Sequence, residues 1–493
     1  MSDARGSTSP APGTAPGASP APASPAAAAR TKLLLEGPIA ATLLRLAAPN
    51  LVVNIVLIAV TATVDAYFVA QLGSSALAGL SLVFPLIMLL QQVSNSSMGG
   101  AVASAVARAI GAGRHADASA LVAHAVVIAA VMAAIFTGVL LLGGSVIYSW
   151  MGGKDATLAA AVEYSNAIFA GALAYWVLST LTSVVRGAGQ AAILAIVYIA
   201  AELLHIALVP ILVFGFGPVP ALGISGAGIA TVASFAASSA FLAWYIASGR
   251  TAIRLSLRGV QLSRRLFVEI LRVGAPMSLQ PLLYNFALAV LTGFVATLGA
   301  MELAGFGVAV RLEYLVYPLA FSLGAGLLGM VGTNIGAGKR ERAVRIAWTG
   351  AAIAAAVTAA IGLLGAFAPG PWTFLFSVTP EVHATAARYM AIIGLAFPFL
   401  GAGLTLATSF QAAGRPFWPL VGVTSRVLVV VLGGWLATHV FGTDLTGLAI
   451  IAASGLVVYG ASLATAFRAG AWNGSTTTST PTQAGAASMK PTG

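Results

Sequence analysis

Apolar residues come in long unbroken runs along this chain, near residues 40–70, 76–107, 118–148, 160–185, 191–214, 222–248, 267–298, 303–334, 344–368, 383–410, 417–440 and 446–468. A helix crossing the hydrocarbon core of a bilayer needs about 20 mostly apolar residues, and each run is long enough. A membrane β-strand would instead alternate apolar and polar residues over roughly ten positions. The run from Leu121 to Leu142 does not alternate. The pattern therefore predicts an all-α membrane protein of twelve transmembrane helices. Several runs exceed a perpendicular crossing, which predicts tilt or extension past the bilayer.

The gaps between runs differ in charge. Arg30, Lys32 and Arg45; Arg108 and Arg114; Arg186; Arg250, Arg254, Arg258, Arg264, Arg265 and Arg272; Lys339, Arg340, Arg342 and Arg345; Arg415; and Arg468 all fall at alternate ends of the runs. The other ends are nearly free of basic residues, with Lys154 the clear exception. Basic residues mark cytoplasmic loops, so both termini are expected in the cytoplasm. The even helix count agrees with that.

Composition supports lipid as the solvent. The chain is 59% hydrophobic and 8% charged, against about 25% charged in soluble domains. The net charge of +11 would suggest nucleic acid in a soluble protein. Here it reads as headgroup contact, because no basic soluble domain is present. There is no cysteine, hence no disulfide or thiolate metal site. The first thirty or so residues, and those from about Asn473 to Gly493, are poor in large apolar side chains, so residues 1–35 and 471–493 are expected to be disordered cytoplasmic tails. No apolar core follows Arg5, so the first tail is not a signal peptide.

The two halves repeat at an offset of about 225–227 residues. Leu44-Arg45-Leu46-Ala47-Ala48-Pro49 recurs as Leu271-Arg272-Val273-Gly274-Ala275-Pro276. Leu72-Gly73 with Leu77-Ala78-Gly79 recurs as Leu298-Gly299 with Leu303-Ala304-Gly305. Ile110-Gly111-Ala112-Gly113-Arg114 recurs as Ile335-Gly336-Ala337-Gly338-Lys339, and Arg186-Gly187-Ala188-Gly189 more loosely as Gln411-Ala412-Ala413-Gly414. The offset spans six helices, an even number, so the repeats are parallel about an axis along the membrane normal. This predicts an amino-terminal lobe over 36–248, a cytoplasmic linker over 249–266 and a carboxy-terminal lobe over 267–470.

The stretch from Val64-Asp65-Ala66-Tyr67 to Leu72-Gly73, the Gly-Ala-Gly-basic loops after helices two and eight, and Arg186-Gly187-Ala188-Gly189 resemble the multidrug and toxic compound extrusion (MATE) family over roughly residues 35–470. The resemblance implies twelve helices in two six-helix lobes, and export driven by an inward proton or sodium gradient. Many relatives carry Asn and Asp four residues apart in helix five, just before Pro. Here His205 and Val209 stand at those positions before Pro210. The second acid of that site is missing, and Glu202, one turn earlier, is its candidate substitute.

Charge inside a bilayer is costly, so each intramembrane ionisable residue is a candidate site. Asp65 lies about 8–9 Å below the end of helix one at 1.5 Å per residue, and matches the family's helix-one carboxylate. It can trade its charge for a proton; the bland alternative is a carboxylate that locks helix packing. Glu202 and His205, three residues apart, share a helix face and form a candidate proton-coupled pair or an inert polar one. Thr231 matches a family position that offers a hydroxyl to the same site. In the second half, Glu313, Arg311 and Arg426 are the interior charges, with Tyr284 and Asn285 as polar neighbours. Glu313 is expected to pair with Arg426 or Arg311, for cargo binding, coupling or structure. Tyr67, Met88, Tyr175, Trp176, Tyr284, Tyr314 and Tyr317 are candidates for an adaptable drug-cavity wall. Pro49, Pro85, Pro276 and Pro318 are expected to kink or hinge their helices.

Other chemistries are excluded. Gly324-Ala325-Gly326-Leu327-Leu328-Gly329 fits a dinucleotide fingerprint, but it lies inside an apolar helix with no preceding strand. No phosphate-binding loop, metal-ligand cluster or nucleophile triad is present, so neither an enzyme nor an ATP-driven pump is expected, and no cofactor. The expectation is a monomeric exporter of organic, mostly cationic compounds in a bacterial inner membrane, with protons favoured over sodium because the second helix-five carboxylate is missing, sodium wants several oxygen ligands, and His205 suits a proton. A flippase of lipid-linked saccharides is the alternative, disfavoured by the few interior cationic residues.

Overall fold

The computed structural model describes residues 25–248, 251, 261–376 and 379–472. Among the described residues, twelve long helices carry the membrane part: α1 (Ile39–Ala70), α2 (Ser74–Gly111), α3 (His115–Trp150), α4 (Asp155–Ala170 and Ala172–Gly187), α5 (Ala191–Phe214), α6 (Gly223–Ala247), α7 (Arg264–Ala296), α8 (Ala300–Gly336), α9 (Arg340–Phe367), α10 (Pro380–Ala412), α11 (Phe417–His439) and α12 (Leu445–Arg468). Ten of them, with the bent α4 as an eleventh, are long and apolar enough to cross a bilayer; α1, 32 residues long, is the twelfth. The expected all-α membrane architecture is observed.

Two helices depart from regularity where their sequences do. In α4 the run breaks by 47° around Gly171, where a side chain would collide with Val232 of α6. In α2 the polar stretch Gln92-Val93-Ser94-Asn95-Ser96-Ser97-Met98 winds as a π-helix, and the Gly99 N–H reaches back five residues to the Ser94 carbonyl. Ser and Asn compete with the helix ladder for backbone groups, and π turns concentrate at functional positions. Both irregularities were absent from the hydropathy reading, which registers only apolarity.

The repeat is visible in backbone detail. The α1–α2 and α7–α8 turns both pass through glycine, Gly73 at φ 117° and Gly299 at φ 136°, a region closed to side chains. Gly113 and Gly338 end α2 and α8 at φ 71° and 74°, the left-handed cap that glycine supplies.

Each lobe has its own hydrophobic core, and α1 and α7 cross between them. The start of α7, at Leu266, Ile270, Val273 and Met277, packs in the amino-lobe core. Its second part, from Tyr284 to Val295, packs in the carboxy-lobe core. Helix α1 does the converse, with Leu43 in the carboxy-lobe core and Val69 in the amino-lobe core. Pro49 in α1 and Pro281 in α7 lie between these anchor points.

The lobes meet at the basic end. There Gly111 packs on the Thr333 carbonyl and Gly336 on the Arg108 carbonyl. Gly111 and Gly336 are repeat mates, as are Arg108 and Thr333, so the contact is symmetric about the axis between lobes. Arg108 also reaches the Ala412 carbonyl (2.9 Å) and Glu269 (3.4 Å).

Three expectations are corrected here. Residues Pro25–Glu36 form a helix, so the disordered tail does not extend to 35; Leu34 is buried, and Asn334 donates to its carbonyl at 3.0 Å. The linker ends before 266, because Ser263 caps α7, which starts at Arg264; most of 249–260, like 473–493, lies outside the described residues. Arg186 is not a headgroup charge: it is 5% exposed and donates from Nη2 to Asn95 Oδ1 at 3.1 Å, inside the amino lobe.

Candidate functional site

In the amino lobe, three helices bring polar groups to one buried point. Asp65 comes from the end of α1, His205 from α5 and Tyr164 from the first half of α4. Asp65 Oδ1 lies 3.0 Å from His205 Nε2, close enough for an ion pair though off the line of a hydrogen bond. The Tyr164 hydroxyl donates to Asp65 Oδ2 at 3.1 Å. Asp65, His205 and Tyr164 are all buried. A recess beside them is lined by Glu202, His205, Thr231 and Ser234. Thr231 bonds the Ala227 carbonyl of its own helix at 3.1 Å. An acid, an imidazole and a phenol in contact, away from lipid, can pass a proton among themselves at little geometric cost.

The carboxy lobe carries a different arrangement. Glu313 Oε1 accepts from Arg426 Nη2 at 2.9 Å and from the Tyr284 hydroxyl at 2.6 Å. The guanidinium lies 4.3 Å over the Tyr284 ring. Glu313 and Arg426 are 3% and 4% exposed, so this is an ion pair buried inside the lobe. The two lobes thus pair their buried carboxylates with different partners, an imidazole in one and a guanidinium in the other.

Between the lobes lies a narrow cleft of about 40 Å³, floored by Ser96 and Ser97 of α2 and by Gln411 of α10, with Tyr317 and Phe321 of α8 on its wall. Among the described residues, no charged side chain lines it.

Comparison with known proteins decides the family. The sequence model of MatE matches residues 50–211 and 276–436, one match in each lobe, and together well over half of the chain. The chain belongs to the MATE family. A FAD transporter of Shewanella oneidensis is 25% identical over 399 residues, covering 81% of this chain and 88% of its own. A probable multidrug resistance protein NorM of Thermotoga maritima is 24% identical over 357 residues, 72% and 76% of the two chains. A crystal structure of MATE in the bent conformation superposes with a TM-score of 0.82 at 24% identity, over 90% of this chain and 98% of its own. This MATE protein is therefore a multi-pass membrane transporter and not an enzyme.

Of the residues singled out from the sequence of this MATE chain, Asp65 and His205 come into contact, with Glu202 and Thr231 at the adjoining recess. Glu313, Arg426 and Tyr284 also meet. Arg311 does not join them: it is exposed and lies 4.9 Å over the Phe376 ring, because a residue two positions from Glu313 on a helix faces elsewhere. Asn285 is also exposed and bonds the Pro281 carbonyl of its own helix at 2.8 Å. Tyr175 and Trp176 are buried in the amino-lobe core, and so are not cavity walls. Met88 is half-buried, Tyr67 and Tyr314 are exposed, and Tyr317 faces the cleft. Tyr164 was missed. The repeat could have found it, since Tyr164 and Tyr389 correspond at an offset of 225 and both are buried. The cleft floor was missed as well, because Ser96, Ser97 and Gln411 carry no charge.

Proposed function

We propose that this chain is a proton-coupled exporter of small organic compounds, working as a monomer in a bacterial inner membrane with both termini in the cytoplasm. The observation that carries the coupling is the Asp65–His205–Tyr164 contact. Protons reaching Asp65 from outside cancel its charge and loosen its hold on His205. That loss is felt in α1, whose other end packs on the opposite lobe, so one titration biases the rocking of both. Cargo and proton then share one conformational cycle, which is the simplest form of antiport. Protons fit better than sodium because an imidazole nitrogen stands where an alkali cation would need oxygen.

The test is Asp65→Asn in proteoliposomes with proton and sodium gradients imposed separately. Export in the wild type is expected to follow the proton gradient alone. The variant should fold and bind cargo but move no protons in response to it. Wild-type coupling in Asp65→Asn removes Asp65 from the mechanism, and sodium-driven export removes the proton. The likeness to a FAD transporter over 81% of the chain favours a second reading of the cargo, a flat heteroaromatic carrying phosphate, which competition by FAD in the same vesicles addresses.

A further inference from the structure

The π-helical turn of α2 forms the floor of the cleft and is gripped from both lobes. From the amino lobe, Arg186 donates to Asn95 (3.1 Å). From the carboxy lobe, Gln411 Nε2 donates to the carbonyls of Ser96 (3.1 Å) and Ser97 (3.0 Å). Arg186 and Gln411 are repeat mates at an offset of 225, so two equivalent positions hold one irregular segment. Ser97 Oγ also donates to the Met277 carbonyl of α7 at 3.0 Å. Gly100 clears the path of the Gln411 amide, since a side chain there would overlap it.

A backbone carbonyl has two lone pairs, so one that lines a cavity in a membrane helix can accept a donor beyond the helix's own ladder. Gln411 reaches this pair across the boundary between lobes, so the bonds hold only while the basic ends are closed. When those ends separate, the Ser96 and Ser97 carbonyls face the cleft without it. We propose that this carbonyl pair is a cargo subsite for compounds bearing N–H donors, such as aminated heteroaromatic or amidinium cations, used in alternation with Gln411. Tyr317 and Phe321 on the cleft wall supply faces for the ring, and carbonyl dipoles supply the negative end for the cation. Closure of the basic end brings the Gln411 amide back to the same oxygens and displaces the cargo toward the opposite face. The subsite rests on the export reading for its biological use, but not on proton coupling.

Equilibrium binding in detergent, with no gradient, tests it. The probes are an aminoacridinium, which carries N–H donors, and an N-methylacridinium of the same ring and charge, which carries none. Wild type is expected to bind the first about tenfold more tightly, the worth of one good hydrogen bond to a cation. Gln411→Leu removes the competitor and is expected to tighten aminoacridinium binding about tenfold further while leaving N-methylacridinium unchanged. Gly100→Ala crowds the Gln411 amide away and should act in the same direction, so the test survives if Gln411→Leu fails to fold. Equal affinity for the two probes, equal effects of the variants on both, or no aminoacridinium binding by the folded carrier each overturns the subsite. A preference for N–H donors alongside unimpaired coupling in Asp65→Asn would sink the coupling and leave the subsite standing.

Discussion

Alanine at Gly111 or Gly336 is expected to change which way this transporter faces without weakening its fold. Each glycine sits where a methyl group would penetrate a backbone carbonyl of the opposite lobe, Thr333 for Gly111 and Arg108 for Gly336. Backbone cannot yield as a flexible side chain can. Forcing a methyl into such a contact costs about 1–3 kcal/mol, which displaces a two-state equilibrium by about 5–150-fold. The cost falls only on the state whose basic ends are closed. Within its own helix, Gly→Ala is worth up to about 1 kcal/mol of added stability, so thermal unfolding should not weaken. The chain has no cysteine, which makes a labelled pair at Lys154→Cys and Phe441→Cys straightforward, one on each lobe away from the basic end. Distances between the labels should shorten in both alanine variants, and by similar amounts because the two contacts are repeat mates. Export should slow in parallel. An unchanged distance distribution in both variants, with unfolding also unchanged, would refute the claim that these glycines set the closed state. A large change in only one would refute its symmetry.

Gly362 and Gly394 provide the contrasting case, since each packs on the other's carbonyl between α9 and α10 inside one lobe. Gly362→Ala should therefore lower the midpoint of thermal unfolding, at about 1–3 kcal/mol, and leave the label distance alone. In the carboxy lobe, Glu313→Gln strands Arg426 and is expected to cost about 3–5 kcal/mol. Glu313→Gln with Arg426→Met should recover most of that, as measured by chemical unfolding; no recovery would show that the pair is not the source of the loss. Asp444 caps α12, accepting from the Thr446 N–H at 3.0 Å and the Gly447 N–H at 3.2 Å. The Thr446 hydroxyl, and after it these N–H groups, hold its carboxyl below the usual range. A depressed carboxyl stabilises above the unfolded value of about 3.9 and loses that contribution as pH falls below it. Asp444→Ala should thus cost about 1 kcal/mol at neutral pH, and the difference from wild type should vanish in acid.

The hydropathy pattern determined the twelve crossings, because lipid imposes a length and an apolarity that composition cannot disguise. The repeat determined two parallel lobes, because matched glycine turns at Gly73 and Gly299 impose the same backbone twice. Asp65, His205 and Glu313 were legible because charge in hydrocarbon is rare and conspicuous. What the sequence did not determine is direction. Arg186 reads as a headgroup charge until its burial against Asn95 is seen. Tyr164 meets Asp65 from 99 positions away, and Gln411 meets Ser96 from 315. Such contacts depend on how helices cross, and neutral side chains carry no mark of it in a chain where apolarity is the rule. Only the tertiary structure decides which polar atoms share a point, and here that decides both the Asp65–His205–Tyr164 contact and the floor of the cleft.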